Sequence, residues 1–125
     1  MYVSINHIPV VKERAEDFEN LFRNREGSVD TQPGFLSLDV LRPAPKMAMG
    51  KPFEENAPEP NEYQVVTRWV DEESFKNWIR SDAFKKSHSR GSDPTIFVGR
   101  SYQTTHHVVD GASACANNPR KPQSD

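Results

Sequence analysis

The sequence predicts an α+β fold in which one four-stranded antiparallel sheet carries two helices on one face. Three observations predict it. Four runs rich in β-branched and aromatic residues fall at 2–11, 35–42, 62–70 and 95–109. Two stretches of helical periodicity lie between the first and second runs and between the third and fourth. Turn and cap residues separate them, Gln32-Pro33-Gly34 before the second run and Asp71-Glu72-Glu73 before the second helix. The order β-α-β-β-α-β is the ferredoxin-like split βαβ arrangement.

Taken in chain order, residues 2–11 (YVSINHIPVV) form the first strand, and Pro9 suits its end or a sheet edge. Residues 13–25 form the first helix. Phe18, Leu21, Phe22 and Arg25 share one face of it. Glu13, Glu16 and Asp17 crowd its start and Arg23 and Arg25 its end, the order the helix dipole favours. Gly27 is the expected stop. Residues 35–42 and 62–70 are the second and third strands. Asp71 is the N-cap candidate of the second helix, and Phe75, Trp78 and Ile79 are its buried stripe. Ser81 or Asp82 restarts the chain as a short helix, 83–89, and residues 95–109 form the fourth strand.

With both helices on one face, the other would alternate to polar if it met water. Both parities carry apolar residues instead: Val3 and Ile5 against Tyr2 and Ile8, Phe35 and Leu41 against Leu36, Leu38 and Val40, and Tyr63, Val65 and Trp69 against Val66 and Val70. A second copy covering the helix-free face, a homodimer, is the expectation.

The 125 residues are the size of one domain. Only 34% are hydrophobic, and the shortfall is local. Residues 43–61 hold five of the ten prolines, and 110–125 lack any aromatic or large aliphatic residue. Neither segment buries enough surface to offset its ordering entropy. The organisation expected is a domain over 1–109 with a Pro-rich loop at 43–61 and a disordered tail at 110–125. Sixteen Lys and Arg against 18 Asp and Glu leave no basic footprint for nucleic acid. One cysteine excludes an intramolecular disulfide. The start lacks a basic leader, and no apolar run nears the roughly 20 residues that span a bilayer. A cytoplasmic protein away from membranes is expected.

No glycine-rich phosphate loop, HExxH, GxSxG or EF-hand loop is present. Cys115 reads as an inert thiol in the tail. No two of His7, His88, His106 and His107 stand four apart on a helix, so a protein-only metal site has no support. His106 and His107 read as surface residues on opposite faces of the last strand. His88 lies one turn after Phe84, among Lys85, Lys86 and Arg90; by itself it reads as an exposed histidine on a basic helix. Asn6 stands mid-strand, where asparagine is disfavoured, either bonded to neighbouring backbone or aimed as a donor into a cavity. Trp78 and Trp69 by themselves read as core.

Together, Asn6 in the first strand, FRNREG closing the first helix and NWIRSDAFKKSHS resemble the IsdG-type haem-degrading monooxygenases. These belong to the antibiotic biosynthesis monooxygenase superfamily of dimeric α+β barrels. The resemblance spans about residues 2–105 without the Pro-rich loop, and the W-x-x-S-D-x-F-x-x-x-H run from Trp78 to His88 is its specific part. VVTRWVDEESF is shared with the wider superfamily. The resemblance implies that His88 is the proximal ligand to haem iron. It implies that Asn6 donates its amide near iron-bound oxygen and that Trp78 presses on the porphyrin to ruffle it. Phe22 and Arg25 would line the pocket, with Arg25 toward a propionate. Haem would be cofactor and substrate at once, opened with O2 and an external electron donor such as a reductase, releasing iron and a linear tetrapyrrole. His7 points to the face opposite Asn6 and is expected at the dimer interface. Met47 and Met49 in the loop carry no specific role. Two rivals stand: a cofactor-free monooxygenase of the same fold acting on aromatic or quinone substrates, with Trp78 core and His88 surface, and a haem carrier that uses His88 without turnover.

Overall fold

A computed structural model describes residues 1–88 and 93–116, the side chains of residues 87 and 88 excepted. Strands β1 (Tyr2–Pro9), β2 (Phe35–Leu41), β3 (Glu62–Trp69) and β4 (Tyr102–His107) form one sheet in the order β2-β3-β1-β4. Every neighbouring pair is antiparallel. Helix α1 (Ala15–Arg23) links β1 to β2, and α2 (Glu72–Ile79) and α3 (Asp82–His88) lie between β3 and β4. This is the ferredoxin-like order read from the sequence. No helix of the described residues is long and apolar enough to cross a membrane.

Strand parity sets the two faces. Tyr2, Ser4, Asn6 and Ile8 pair in register with Trp69, Thr67, Val65 and Tyr63. The Tyr2 ring lies 5.5 Å from Phe75 of α2, and the Phe18 ring of α1 lies 4.8 Å from Tyr63, so both helices cover this face. The core beneath them is in two parts. Tyr2, Val29, Trp69, Phe75 and Trp78 form one cluster, and Val10, Phe18, Tyr63, Val65 and Ile96 form the other. Leu38 packs against both. The row that separates them across the sheet is Leu38, Thr67, Ser4 and Thr105, small and polar except at its edge.

Local chemistry fixes the turns. Asp71 caps α2 as expected, its carboxylate accepting the Ser74 N–H at 2.8 Å. Gly34 has φ +81, and a Cβ there would stand 2.2 Å from Ser74 Oγ. The Val70 N–H donates to the Gly34 carbonyl at 2.8 Å, so this glycine seats the start of β2 directly on the start of α2.

Several expectations are corrected. The helix expected over 13–25 begins as a 3-10 turn, Lys12–Arg14, and α1 ends at Arg23. Leu21 is 44% exposed, off the buried face. Gly27, at φ 77, opens the next 3-10 turn, Ser28–Thr31, rather than closing α1. A bulge between Phe35 and Ser37 shifts the register of β2, so Phe35, Leu38 and Val40 share the helix face while Leu36 and Leu41 are exposed. The fourth strand expected over 95–109 is confined to Tyr102–His107. The Asp93 carboxylate accepts from the Thr95 N–H at 2.9 Å and holds Pro94–Ile96 as a 3-10 turn, and only Phe97 pairs outward, with Val10. The short helix starts at Asp82 rather than 83. Arg90 and tail residues 117–125 lie outside the described residues.

The helix-free face mixes both kinds of residue. Val66 is only 4% exposed there, beside half-buried Val3 and Ile5. Arg68 pairs with Asp39 at 2.8 Å on one side. His7 lies on this face as expected. Its Nδ1 is 2.9 Å from Glu62, its Nε2 is 2.9 Å from Thr104 Oγ1, and its ring stacks on Tyr102 at 4.3 Å.

Candidate functional site

The Trp78–His88 run is held rigidly at its centre. The Ser81 hydroxyl donates to the Trp78 carbonyl at 2.6 Å and accepts the Phe84 N–H at 3.1 Å, closing α2 and capping α3 with one side chain. Phe84 then meets the Trp78 indole edge-on, 5.4 Å between centroids at 87°. Trp78 is 8% exposed and belongs to the first core cluster. His88 is the last residue of α3, and its side chain lies outside the described ones. Lys85 and Lys86 are exposed on the same helix.

Asn6 sits on the helix face of β1, between Val65 of β3 and Gln103 of β4. Its polar neighbours are satisfied. Ser4 Oγ accepts from Gln103 Nε2 at 2.6 Å, and Thr67 Oγ1 accepts from Trp69 Nε1 at 3.0 Å. The Asn6 side chain is half-buried and has no hydrogen-bond partner among the described residues. Of the two roles the sequence leaves open, an amide bonded to neighbouring backbone is therefore not the one adopted.

A cleft of about 560 Å3 opens between α1 and β2. Phe22, Leu38 and Val40 give it an apolar floor, and Arg23, Arg25 and Arg42 stand around it. Phe22 and Arg25 are thus brought together, as expected, but Asn6 and Trp78 do not line this cleft. Leu38 links the two regions, since it lines the cleft and packs against the Trp78 cluster. Arg25 is bound in a two-toothed pair with Asp30, at 2.9 and 3.3 Å.

The hub of the cleft is a residue the sequence did not single out. Glu19 accepts from Arg42 Nε at 2.8 Å, from Arg42 Nη2 at 2.5 Å, from Arg23 at 2.9 Å and from the Tyr63 hydroxyl. The hydrogen bonds from Arg42 and then Tyr63 hold the Glu19 carboxyl down at about 2. Burial, then the bond to Glu19, raises the Tyr63 phenol. Only the Glu19–Arg23 pair, one helical turn apart, was visible in sequence; Arg42 is 23 residues away. A second cleft of about 420 Å3 shares Glu19, Arg23, Arg42 and Tyr63 and opens toward the Pro-rich loop at Pro43 and Ala57. Met49 in that loop is 96% exposed.

Among the described residues no cluster of three or more His, Cys, Asp or Glu could hold a metal. His106 and His107 are exposed, with His107 edge-on to Tyr2, and Cys115 is an exposed free thiol.

An antiparallel ferredoxin-like sheet with a ligand-sized cleft between α1 and β2 defines a small α+β protein of the ferredoxin-like class with room for a ligand. Residues 1–90 match the antibiotic biosynthesis monooxygenase family; the chain belongs to that family and is an oxygenase. A relative from Halalkalibacterium halodurans, named a heme-degrading monooxygenase, is 34% identical over 98 residues, which is 78% of this chain and 74% of that one. The solved structure of the heme degrader MhuD from Mycobacterium tuberculosis, with two hemes in its active site, is similar at a TM-score of 0.63 and 26% identity, over 87% of this chain and 96% of that one. SnoaB from Streptomyces nogalater, a cofactor-independent oxygenase, shares the fold at a TM-score of 0.55 and 17% identity, over 86% of this chain and 91% of its own.

Proposed function

We propose that this oxygenase binds haem under its helices and degrades it. The observation that carries the reading is the half-buried Asn6 amide, left without a partner while the polar groups beside it are satisfied. No buried side-chain polar atom among the described residues lacks a partner, so the Asn6 amide reaches solvent and is open to a ligand oxygen above β1. The surroundings fit a flat apolar ligand with anionic tails: aromatic walls from Phe22 and Trp78, and cations at the rim.

Bound haem supplies iron for activating O2 with electrons from an external donor. His88, at the end of α3, offers the imidazole that holds the iron. Asn6, on the helix face of β1, would donate its amide to an oxygen of the bound ligand and orient it. Trp78, fixed by Phe84 and Ser81, presses on the ligand plane. Phe22 excludes water from one side, and Arg25 stands at the mouth. Residues 1–109 form the working unit, and iron and a linear tetrapyrrole are the products. A second copy of the chain covers Val3, Ile5 and Val66, and the reaction takes place in the cytoplasm.

The packing of Trp78 inside the core, 8% exposed, favours a second reading, a cofactor-free oxygenase in which Trp78 is structural. Hemin titration followed by ascorbate in air separates them. Haem degradation requires a sharp Soret band, lost in His88→Ala, that decays on adding reductant. Absence of binding supports the cofactor-free enzyme, and a band stable for hours supports a carrier.

A further inference from the structure

Three arginines surround the α1–β2 cleft, but their charges are not equally available. Arg25 is matched one to one by Asp30, through two hydrogen bonds of 2.9 and 3.3 Å. Arg23 and Arg42 share a single carboxylate, Glu19. That trio carries one positive charge in excess. The excess persists across neutral pH, because Glu19 stays ionised far below it. Glu19 also fixes where the charge sits. It takes both Arg42 Nε and Nη2, so the guanidinium plane is oriented, and no described partner takes Nη1. Arg23 is braced on its own helix by Asn20 at 2.9 Å. The apolar floor of Phe22, Leu38 and Val40 lies directly beside this oriented cation pair.

Resting on the haem reading above, we propose that Arg42 and Arg23, oriented by Glu19, form the carboxylate-recognition site for the ligand's propionate, in place of Arg25. A fixed guanidinium with an open edge matches a carboxylate in geometry as well as charge. Binding there brings the trio to neutrality, with two arginines facing two carboxylates. At Arg25 a propionate would first have to displace Asp30. The second cleft approaches the same cations from the loop side but lacks the Phe22–Leu38–Val40 floor. Leu38, which also packs against the Trp78 cluster, connects the cation pair on the α1–β2 side to the ligand site, so only the propionate arm reaches this cleft.

The test compares hemin with hemin dimethyl ester, which lacks both carboxylates, by quenching of tryptophan fluorescence. The intact protein is expected to favour hemin by about two- to fivefold, as an ion pair at exposed side chains gives. Arg42→Gln should bring the two affinities together, and Arg23→Gln should narrow the gap, with the Soret position of bound hemin unchanged in both. Equal affinity of the intact protein for acid and ester overturns the inference while leaving the haem reading standing. Binding of neither overturns both. Loss of the preference in Arg25→Gln with its retention in Arg42→Gln returns the site to Arg25.

Discussion

The Tyr63 hydroxyl on β3 donates its hydrogen bond to the Glu19 carboxylate on α1, across 44 residues of sequence. Helix and sheet are thereby joined by a charge-assisted bond beside the cleft. Glu19 has its carboxyl lowered from 4.5 to about 2, so its contribution to stability is fully present above 4.5 and is lost as pH falls through about 2. Glu19→Gln should cost about 1–3 kcal/mol at neutral pH. It should also flatten the fall in urea midpoint between those two pH values. Asp71 and Asp93 are lowered too, so part of the slope remains. An unchanged slope would show that the hub contributes nothing to folding.

The Asn6 side chain has no hydrogen-bond partner among the described residues, and the residue faces Val65 in register. Asn6→Val should leave stability unchanged or raise it by up to about 1 kcal/mol, as β-branched residues suit that position. The same variant should hold hemin yet slow the decay of its Soret band by more than about tenfold, the pattern of an interaction made after oxygen arrives. Thermal melts and absorbance traces on one sample read both effects. A variant that loses stability and keeps full turnover would make Asn6 purely structural.

Trp78 is both wall and core, so its truncation is expected to damage the fold. Trp78→Ala should cost about 3–5 kcal/mol in urea unfolding, through the cavity left beside Phe84. Trp78→Phe keeps an aromatic ring there and should lose less than half as much. If Trp78 presses on the ligand, Trp78→Phe binds hemin and degrades it slowly; equal rates would leave the tryptophan as packing alone.

Gly34→Ala should destabilise by about 2 kcal/mol or more, since it adds a positive-φ penalty to a clash with Ser74. Ser74→Ala removes the Oγ contact and should recover part of that loss in the double variant, measured by a thermal double-mutant cycle.

The element order was legible because each element carries its own local signal. The Asp71 cap and the Phe75–Trp78–Ile79 stripe placed α2 within a residue of its observed start. The bulge in β2 was not legible: no residue between Phe35 and Ser37 announces it, and it inverts which of Leu38 and Leu41 is inside. The overlong fourth strand did have a warning in Asp93-Pro94, a cap followed by a residue suited to open a turn. At the site, Phe22 and Arg25 fell on one helix face and were found together in one cleft. Glu19, Arg42 and Tyr63 come from three elements, and their meeting depends on tertiary packing that spacing alone does not encode.

Strand β2 is an outer strand, and its far edge presents unpaired N–H and C=O groups to any extended chain that drifts past. The bulge near Phe35 breaks the even spacing of those groups, so an incoming strand that matched the ladder at Leu38–Leu41 would fall out of step before reaching Phe35. The same irregularity that puts Phe35 and Leu38 on one face therefore guards the molecule against edge-to-edge polymerisation. Straightening it by deleting Leu36 would keep Leu38 opposite Thr67 and so inside, but would leave a longer regular edge open to fibril-like stacking.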